Sequence, residues 1–261
     1  MFLDTVLNPV LNPLLSLGSF WTILIVSLFI SLLTTVIYKY ATDQPALRSL
    51  KADMKRKQKK MSALKDQPKK AMKIQKEVMK LNGQYMKASF KSMLYTFLPI
   101  LIFFGWLGAN LAFMPLLPGV DFNLTADFES TVDGLVTVNL PEGLFLSDNL
   151  SKTISDSSAT WTGISGPEGT YDLSVFHENS GEEQFISVLI TNEQAYVEPT
   201  HVFSDSDTFS KIIVSHEKLL IFKGILVFKD IPFVKNANWF WSYFIFSMLF
   251  STSLRKAFKL A

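Results

Sequence analysis

The residues of this chain best placed to act together are small hydroxyls and one cation set into otherwise apolar runs. Ser27, Ser31, Thr34 and Thr35 recur at spacings of 4, 3 and 1, and Tyr243, Ser247, Ser251 and Arg255 recur every four residues. At 3.6 residues per turn, each set lies along one face of a helix. Thr96 and Asn110 bring polar groups into a third apolar run. Together they supply material for a partly hydrophilic furrow among three membrane helices. Its chemistry would be non-covalent: it shortens the path over which a polar segment crosses hydrocarbon, where each charge at the centre costs about 3 kcal/mol on insertion scales. The pattern also fits Ser and Thr that bond their own i−4 carbonyls or line close helix contacts, and pattern alone favours that plainer use.

Covalent chemistry has no comparable support. The chain carries no nucleophile with a matched base and no phosphate-binding loop, so an enzyme is not expected. His177, His201 and His216 are scattered without ligand spacing, and cysteine is absent. Neither a metal nor a cofactor is expected on these grounds, and no disulfide can form.

The elements that must position the furrow come from hydropathy. A mean hydropathy of +0.24 points toward lipid, as do 23 Phe and 5 Trp. Residues 20–40 (FWTILIVSLFISLLTTVIYKY) form the first spanning segment, long enough at 1.5 Å per residue, with Trp21, Tyr38 and Tyr40 in an aromatic belt. Residues 93–117 form the second, interrupted by Pro99 and Gly105. Residues 237–254 form the third. Its apolar run from Trp239 to Leu254 makes only about 24 Å of helix, which implies local bilayer thinning. Residues 1–19 are apolar, yet Pro9 and Pro13 argue against one unbroken helix. With no basic n-region and no small-residue cleavage site they read as an interfacial segment, not a cleavable signal peptide.

Between the first two spans, residues 41–92 are strongly basic. From Lys39 to Lys91 there are sixteen Lys and Arg against four acids. Leu47, Leu50, Met54, Met61 and Leu64 follow an a/d heptad seam whose missing position is Lys57, and Pro68 then breaks the helix. Beyond it Met72, Met79, Met86 and Met93 repeat every seven residues, while Ile74, Val78, Leu81 and Tyr85 form a second stripe. This predicts a coiled-coil hairpin with an adaptable apolar face of Met54, Met61, Met72, Met79 and Met86, which either closes the hairpin on itself or grips a partner. Lys55, Arg56, Lys57, Lys59, Lys60, Lys69 and Lys70 are the candidates for contact with a ribosome or anionic lipid.

Residues 118–236 change texture. Short alternating runs (FNLTADFE, GLVTVNL, TYDLSVF, QFISVLIT, KIIVSH, LIFKGILVF) are separated by Gly, Pro, Asn and Ser, the pattern of an antiparallel sandwich. Residues 203–236 belong either to that sandwich or to a separate hairpin. This region is acidic, and it holds two sequons, Asn123-Leu-Thr125 and Asn149-Leu-Ser151, that could carry glycans. The fold class expected is thus an α-helical membrane protein with three spans, a cytoplasmic coiled-coil hairpin and an inserted extracytoplasmic all-β domain. The positive-inside rule puts the hairpin and the basic tail, residues 255–261, in the cytoplasm of a cell-membrane protein, with the N-terminus and β domain outside.

The strings YKYATDQPALRSLKADMK, MKASFKSMLYTFLPILIFFGWL and NWFWSYFIFSMLFSTSLRKAFKL resemble the archaeal branch of the YidC/Oxa membrane-protein insertase superfamily, whose eukaryotic relatives include a subunit of the endoplasmic-reticulum membrane complex. The resemblance covers roughly 20–93, 94–117 and 237–259. It implies a three-helix core with a cytoplasm-facing hydrophilic groove, a mobile hairpin that meets nascent membrane proteins or targeting factors, and contact with translating ribosomes. The bacterial members' arginine in the first span has no counterpart between Phe20 and Tyr38, their two further spans are missing, and the β region lies outside the family core. Insertase or membrane-protein chaperone is therefore the leading expectation. The alternative is a structural or adhesive anchor whose outer domain binds envelope components or a partner protein. A channel would need oligomers.

Overall fold

Pro68 does not only end a hairpin turn; it begins a helix that continues for 44 residues. The computed structural model describes residues 2–64, 67–223, 225 and 231–260, and these group into two units: Met1–Asp4, Phe20–Trp106 and Phe240–Ala261 in the first, Thr5–Ser19 and Leu107–Trp239 in the second.

In the first unit, α2 (Ser19–Ala41) buries a continuous face of Thr22, Ile23, Val26, Ser27, Ile30, Ser31, Thr35 and Tyr38. α3 (Gln44–Ser62) starts at Asp43, whose carboxylate caps the Ala46 N–H at 3.0 Å, with Pro45 preset for the first turn. α4 (Pro68–Leu111) joins what hydropathy divides into a hairpin arm and a span. Pro99 lies inside it without ending it, since one missing ladder bond is tolerated in a long helix. On α3 the sheltered positions include Leu47, Leu50, Met54, Lys57 and Met61, with Leu64 just past its end, and on α4 Ile74, Val78, Leu81 and Tyr85. Lys57 closes the gap in the seam by pairing with Glu77 on α4. Residues 65 and 66 of the expected turn lie outside the described residues.

α6 (Trp239–Ala257) runs three residues beyond the apolar stretch and includes Arg255 and Lys256, which brings it to about 28 Å. Among the described residues, two helical segments combine the length and hydropathy needed to cross a membrane, Ser19–Ala41 and Ser92–Leu111.

The second unit begins with α1 (Phe2–Leu15), one helix through Pro9 and Pro13 in spite of the expectation. The prolines are four residues apart, so their missing bonds fall on one face and the remaining ladder holds. Gly18, at φ +88°, turns the chain out. The second span also ends earlier than its apolar run: α4 stops at Leu111, and residues 112–117 are not helical. The unit's own side chains seal that end. The Tyr196 hydroxyl donates to the Gly108 carbonyl at 2.6 Å and accepts the Ala112 N–H at 3.0 Å, while Gln194 Nε2 donates to the Asn110 and Phe113 carbonyls. Burial pushes the Tyr196 phenol up to about 12, so it stays a neutral donor.

The strands are β1 (Phe122–Phe128), β2 (Leu135–Asn139), β3 (Phe145–Leu146), β4 (Ser151–Thr153), β5 (Ser158–Ser165), β6 (Gly169–His177), β7 (Glu183–Ile190), β8 (Thr200–Val202) and β9 (Phe209–Val214). They form two antiparallel sheets, ordered β3-β5-β1-β9-β8 and β4-β2-β6-β7. Inward residues alternate along β1, and both sheets feed one core that includes Leu124, Val136, Trp161, Val175, Ile186 and Phe209. The Trp161 indole N–H donates to the Leu150 carbonyl at 2.9 Å. β9 pairs with the central β1, so residues 209–214 belong to the sheet and not to a separate hairpin. The expected run LIFKGILVF falls partly on residues 224 and 226–228, which lie outside the described residues; Ile221–Lys223 form a turn. A short helix α5 (Pro232–Lys235) precedes α6.

Two outcomes test this account. Tyr196→Phe leaves a carbonyl and an N–H at the end of α4 unpaired and is expected to cost about 1–3 kcal/mol, seen as a lowered unfolding midpoint in detergent. His216 donates from Nδ1 to the Met114 carbonyl at 2.8 Å, and burial holds its imidazole below the ordinary value. Below about pH 6.5 the unfolded chain takes up a proton that the folded imidazole refuses, so stability is full above that pH and falls as pH drops through the depressed folded value. His216→Gln is expected to flatten part of that slope in thermal melts; His201, also pushed down by burial, keeps the rest.

Candidate functional site: a polar cleft in the helical unit

α2, α4 and α6 enclose an open cleft of about 380 Å³, lined by Thr34, Thr35, Tyr38, Tyr85, Ser89, Ser92, Met93, Thr96, Ile100, Ser251 and Arg255. It sits at the end of these helices that carries Lys39, Arg255 and Lys256. Helical rise sets its depth. Ile100 lies about 12 Å beyond Ser92, where the second spanning segment begins, so the cleft reaches toward the middle of that segment.

Four of the lining hydroxyls are polar without demanding a partner, whereas the buried Ser89 hydroxyl has none among the described residues. Thr34 donates to the Ile30 carbonyl at 2.8 Å, Thr35 to Ser31 at 2.6 Å, Ser92 to Ser89 at 2.9 Å and Thr96 to Met93 at 3.0 Å. Each proton is spent on its own helix, and the oxygen lone pairs remain to face the cleft. At the mouth the Arg255 guanidinium lies 4.8 Å from the centroid of the Tyr38 ring, a cation–π contact. Among the described residues no carboxylate pairs with it. Lys39 stands over the Tyr40 and Phe258 rings at 5.8 and 5.4 Å.

Five of the ten furrow candidates line this cleft: Thr34, Thr35, Thr96, Ser251 and Arg255. Ser27 and Ser31 do not. Both are buried within the unit, and their hydroxyls have no hydrogen-bond partner among the described residues. Their small size suits close helix packing, the plainer use of the pattern. Tyr243 is buried edge-on against Phe104 at 4.8 Å, and Ser247 donates to the Phe244 carbonyl. Asn110 belongs to the other unit, where its carbonyl accepts Gln194. The contributors not foreseen are Tyr85, Ser89 and Ser92, which with Thr96 follow spacings of 4, 3 and 4. That stripe was legible, but a boundary drawn between residues 92 and 93 cut through it.

In the hairpin, Met54 and Met61 are half-buried, whereas Met72, Met79 and Met86 are 59%, 67% and 64% exposed. The methionine column of α4 therefore does not close the hairpin; the neighbouring stripe from Ile74 to Tyr85 does, because it alone faces α3. Lys57 leaves the set of free cations, since its pairing with Glu77 holds that carboxyl below its ordinary value. Arg56 pairs with Asp53 at 2.8 Å, and Lys55, Lys59, Lys60, Lys69 and Lys70 are exposed.

Apolar helices of spanning length around a polar cleft define an integral membrane protein. The chain belongs to the family described as integral membrane protein EMC3/TMCO1-like, which matches residues 4–147, more than half of its length. That family is part of the YidC/Oxa1/Alb3 insertase superfamily and is tied to the endoplasmic-reticulum membrane complex. The matched range differs from the strings quoted above: it runs through β1, β2 and β3 and stops before α6. No curated protein and no solved structure matches the chain.

The absence of cysteine permits a direct test of the lining. Single cysteines at Thr96 and Ser251 are expected to react readily with a polar maleimide in membranes, and cysteines at Ser27 and Ser31 to stay protected. Equal reactivity of Ser31→Cys and Thr96→Cys would contradict the assignment.

Proposed function

We propose that the chain is an insertase or membrane-protein chaperone that helps nascent transmembrane segments enter the bilayer without covalent catalysis. The observation that carries this reading is the polar cleft, open at the basic end of the helices and ending near mid-depth. A hydrocarbon core is about 30 Å thick. A cleft about 12 Å deep removes a large part of the distance over which a client's polar flank would be stripped of water. The family's place in the insertase superfamily supports the same reading.

In this reading α6 is the third span, and the α3–α4 hairpin is a cytoplasmic coiled coil. The tail after Arg255 is cytoplasmic too, and the acidic β unit lies on the opposite face. The lysine-rich exterior of the hairpin meets anionic surfaces, ribosomal RNA or lipid headgroups, with the salt sensitivity of any polycation. A structural or adhesive anchor for the β unit would have no use for a polar cleft among its helices.

Filling the cleft tests the proposal. Thr96→Leu with Ser251→Leu is expected to slow insertion of clients bearing short polar N-terminal tails about tenfold, the effect of restoring roughly 1.4 kcal/mol to the barrier. Clients without polar flanks should be unaffected. Unchanged insertion of both classes would overturn the reading.

A further inference from the structure

The two sequons of the β unit are not equivalent once folded. Asn123-Leu-Thr125 lies in β1, the middle strand of the five-stranded sheet, paired with β5 on one side and β9 on the other. The register shifts next to Asn123, yet both its backbone groups are bonded: its N–H donates to Ser215 Oγ at 2.8 Å and its carbonyl accepts the Ser215 N–H at 2.9 Å. The Thr125 hydroxyl is held against Thr160 Oγ1 at 3.0 Å, part-buried. Its neighbours Phe122, Leu124 and Ala126 are core residues. Drawing this sequon into an enzyme's groove would break pairing on both sides and expose the core, a near-global opening.

Asn149-Leu-Ser151 is placed in the opposite way. Asn149 is exposed in the irregular segment between β3 and β4, and its backbone N–H is bonded to Asp148 Oδ1, its own neighbour. Ser151 opens β4, a three-residue strand at the edge of the four-stranded sheet. Its hydroxyl shares an exposed contact of 2.8 Å with Thr137 Oγ1. The anchors are at Leu150, whose carbonyl accepts both the Val138 N–H and the Trp161 indole N–H, and at Asp148, whose Oδ2 accepts from Lys152 Nζ at 2.5 Å and from the Thr162 N–H and hydroxyl at 3.2 Å. Presenting this sequon requires the release of an edge strand and these anchors, while the pairing of the central strands β1 with β5 and β9, and of β2 with β6, stays intact.

We infer that Asn149 is an N-glycosylation site of the folded chain and that Asn123 is not. The inference rests on the reading that puts the β unit on the outer face. The donor would be a lipid-phosphate-linked oligosaccharide. Asn149 Nδ2 bonds to the anomeric carbon, the bond from that carbon to the phosphate oxygen breaks, and the lipid phosphate leaves with the electron pair. Nδ2 gives up one of its two protons to the transferase, and no oxidation state changes.

The test uses the full-length chain in a host that N-glycosylates Asn-X-Ser/Thr sequons on the outer or lumenal face. Occupancy is read by gel mobility and peptide mass spectrometry of the parent, N123Q and N149Q. In parallel, Glu178→Cys in the exposed β6–β7 turn reports through an impermeant maleimide which face the β unit occupies. Labelling from the glycosylating face, with the glycan kept in N123Q and lost in N149Q, supports the inference. Labelling from that face with Asn123 occupied, or with neither site occupied, overturns the inference while leaving the topology intact. Protection of Glu178→Cys until the membrane is opened overturns the topology and the inference together.

Discussion

α4 is a single hydrogen-bonded rod, and this constraint governs the helical unit. A helix of 44 residues cannot rotate its basic arm independently of its apolar half. The face it turns toward its neighbours is therefore one continuous line: Ile74, Val78, Leu81, Tyr85, Ser89, Ser92, Thr96, Ile100, Phe103. All nine are sheltered. The chemistry along the line changes twice. It is apolar where it meets α3 and polar where the apolar segment begins. It becomes apolar again from Ile100 inward. Polar residues appear where hydrocarbon would be expected, and the cleft is the result.

Four of the cleft's hydroxyls avoid the usual cost of polarity at such depth. An unsatisfied donor in a low-dielectric setting costs several kcal/mol, but Thr34, Thr35, Ser92 and Thr96 give their protons to their own helices. Their oxygen lone pairs remain to face the cleft, whose open mouth carries a guanidinium resting on an aromatic ring. The proposed transfer role asks for weak, unselective polarity of this kind, because equal stabilisation of bound and transferring states would only trap a client.

The sequence made the periodic features readable and hid those set by neighbours. The α3 seam is visible from its heptads, and Lys57 in the missing position already hints at a polar partner, though not that Glu77 supplies it. The strands announce themselves by alternation. The end of the second span at Leu111 was not legible, because Phe113, Met114, Leu116 and Leu117 are as apolar as the helix before them. What stops the helix is a set of bonds from Tyr196 and Gln194, more than eighty residues away in sequence. Ser27 and Ser31 share the periodicity of Thr34 and Thr35, and Thr35 is as buried as they are; the placement of α4 and α6 decides which pair borders the cleft, and a one-dimensional pattern carries no such neighbours. The methionine column shows the same limit. Two stripes one residue apart on α4 look equally suited to a seam, and only the position of α3 decides which of them is covered.

The central claim is that polar segments pass along the cleft formed by α2, α4 and α6. Its most direct measurement is site-specific photocrosslinking to a ribosome-stalled nascent membrane protein, with the probe at Ser92, Thr96 or Ser251 and a matched probe at Leu98 on the exposed face of α4. The account predicts adducts from the three cleft positions that appear as the client's polar flank reaches the membrane and vanish when insertion is complete. Adducts of equal strength from Leu98, or none from the cleft at any client length, would contradict it.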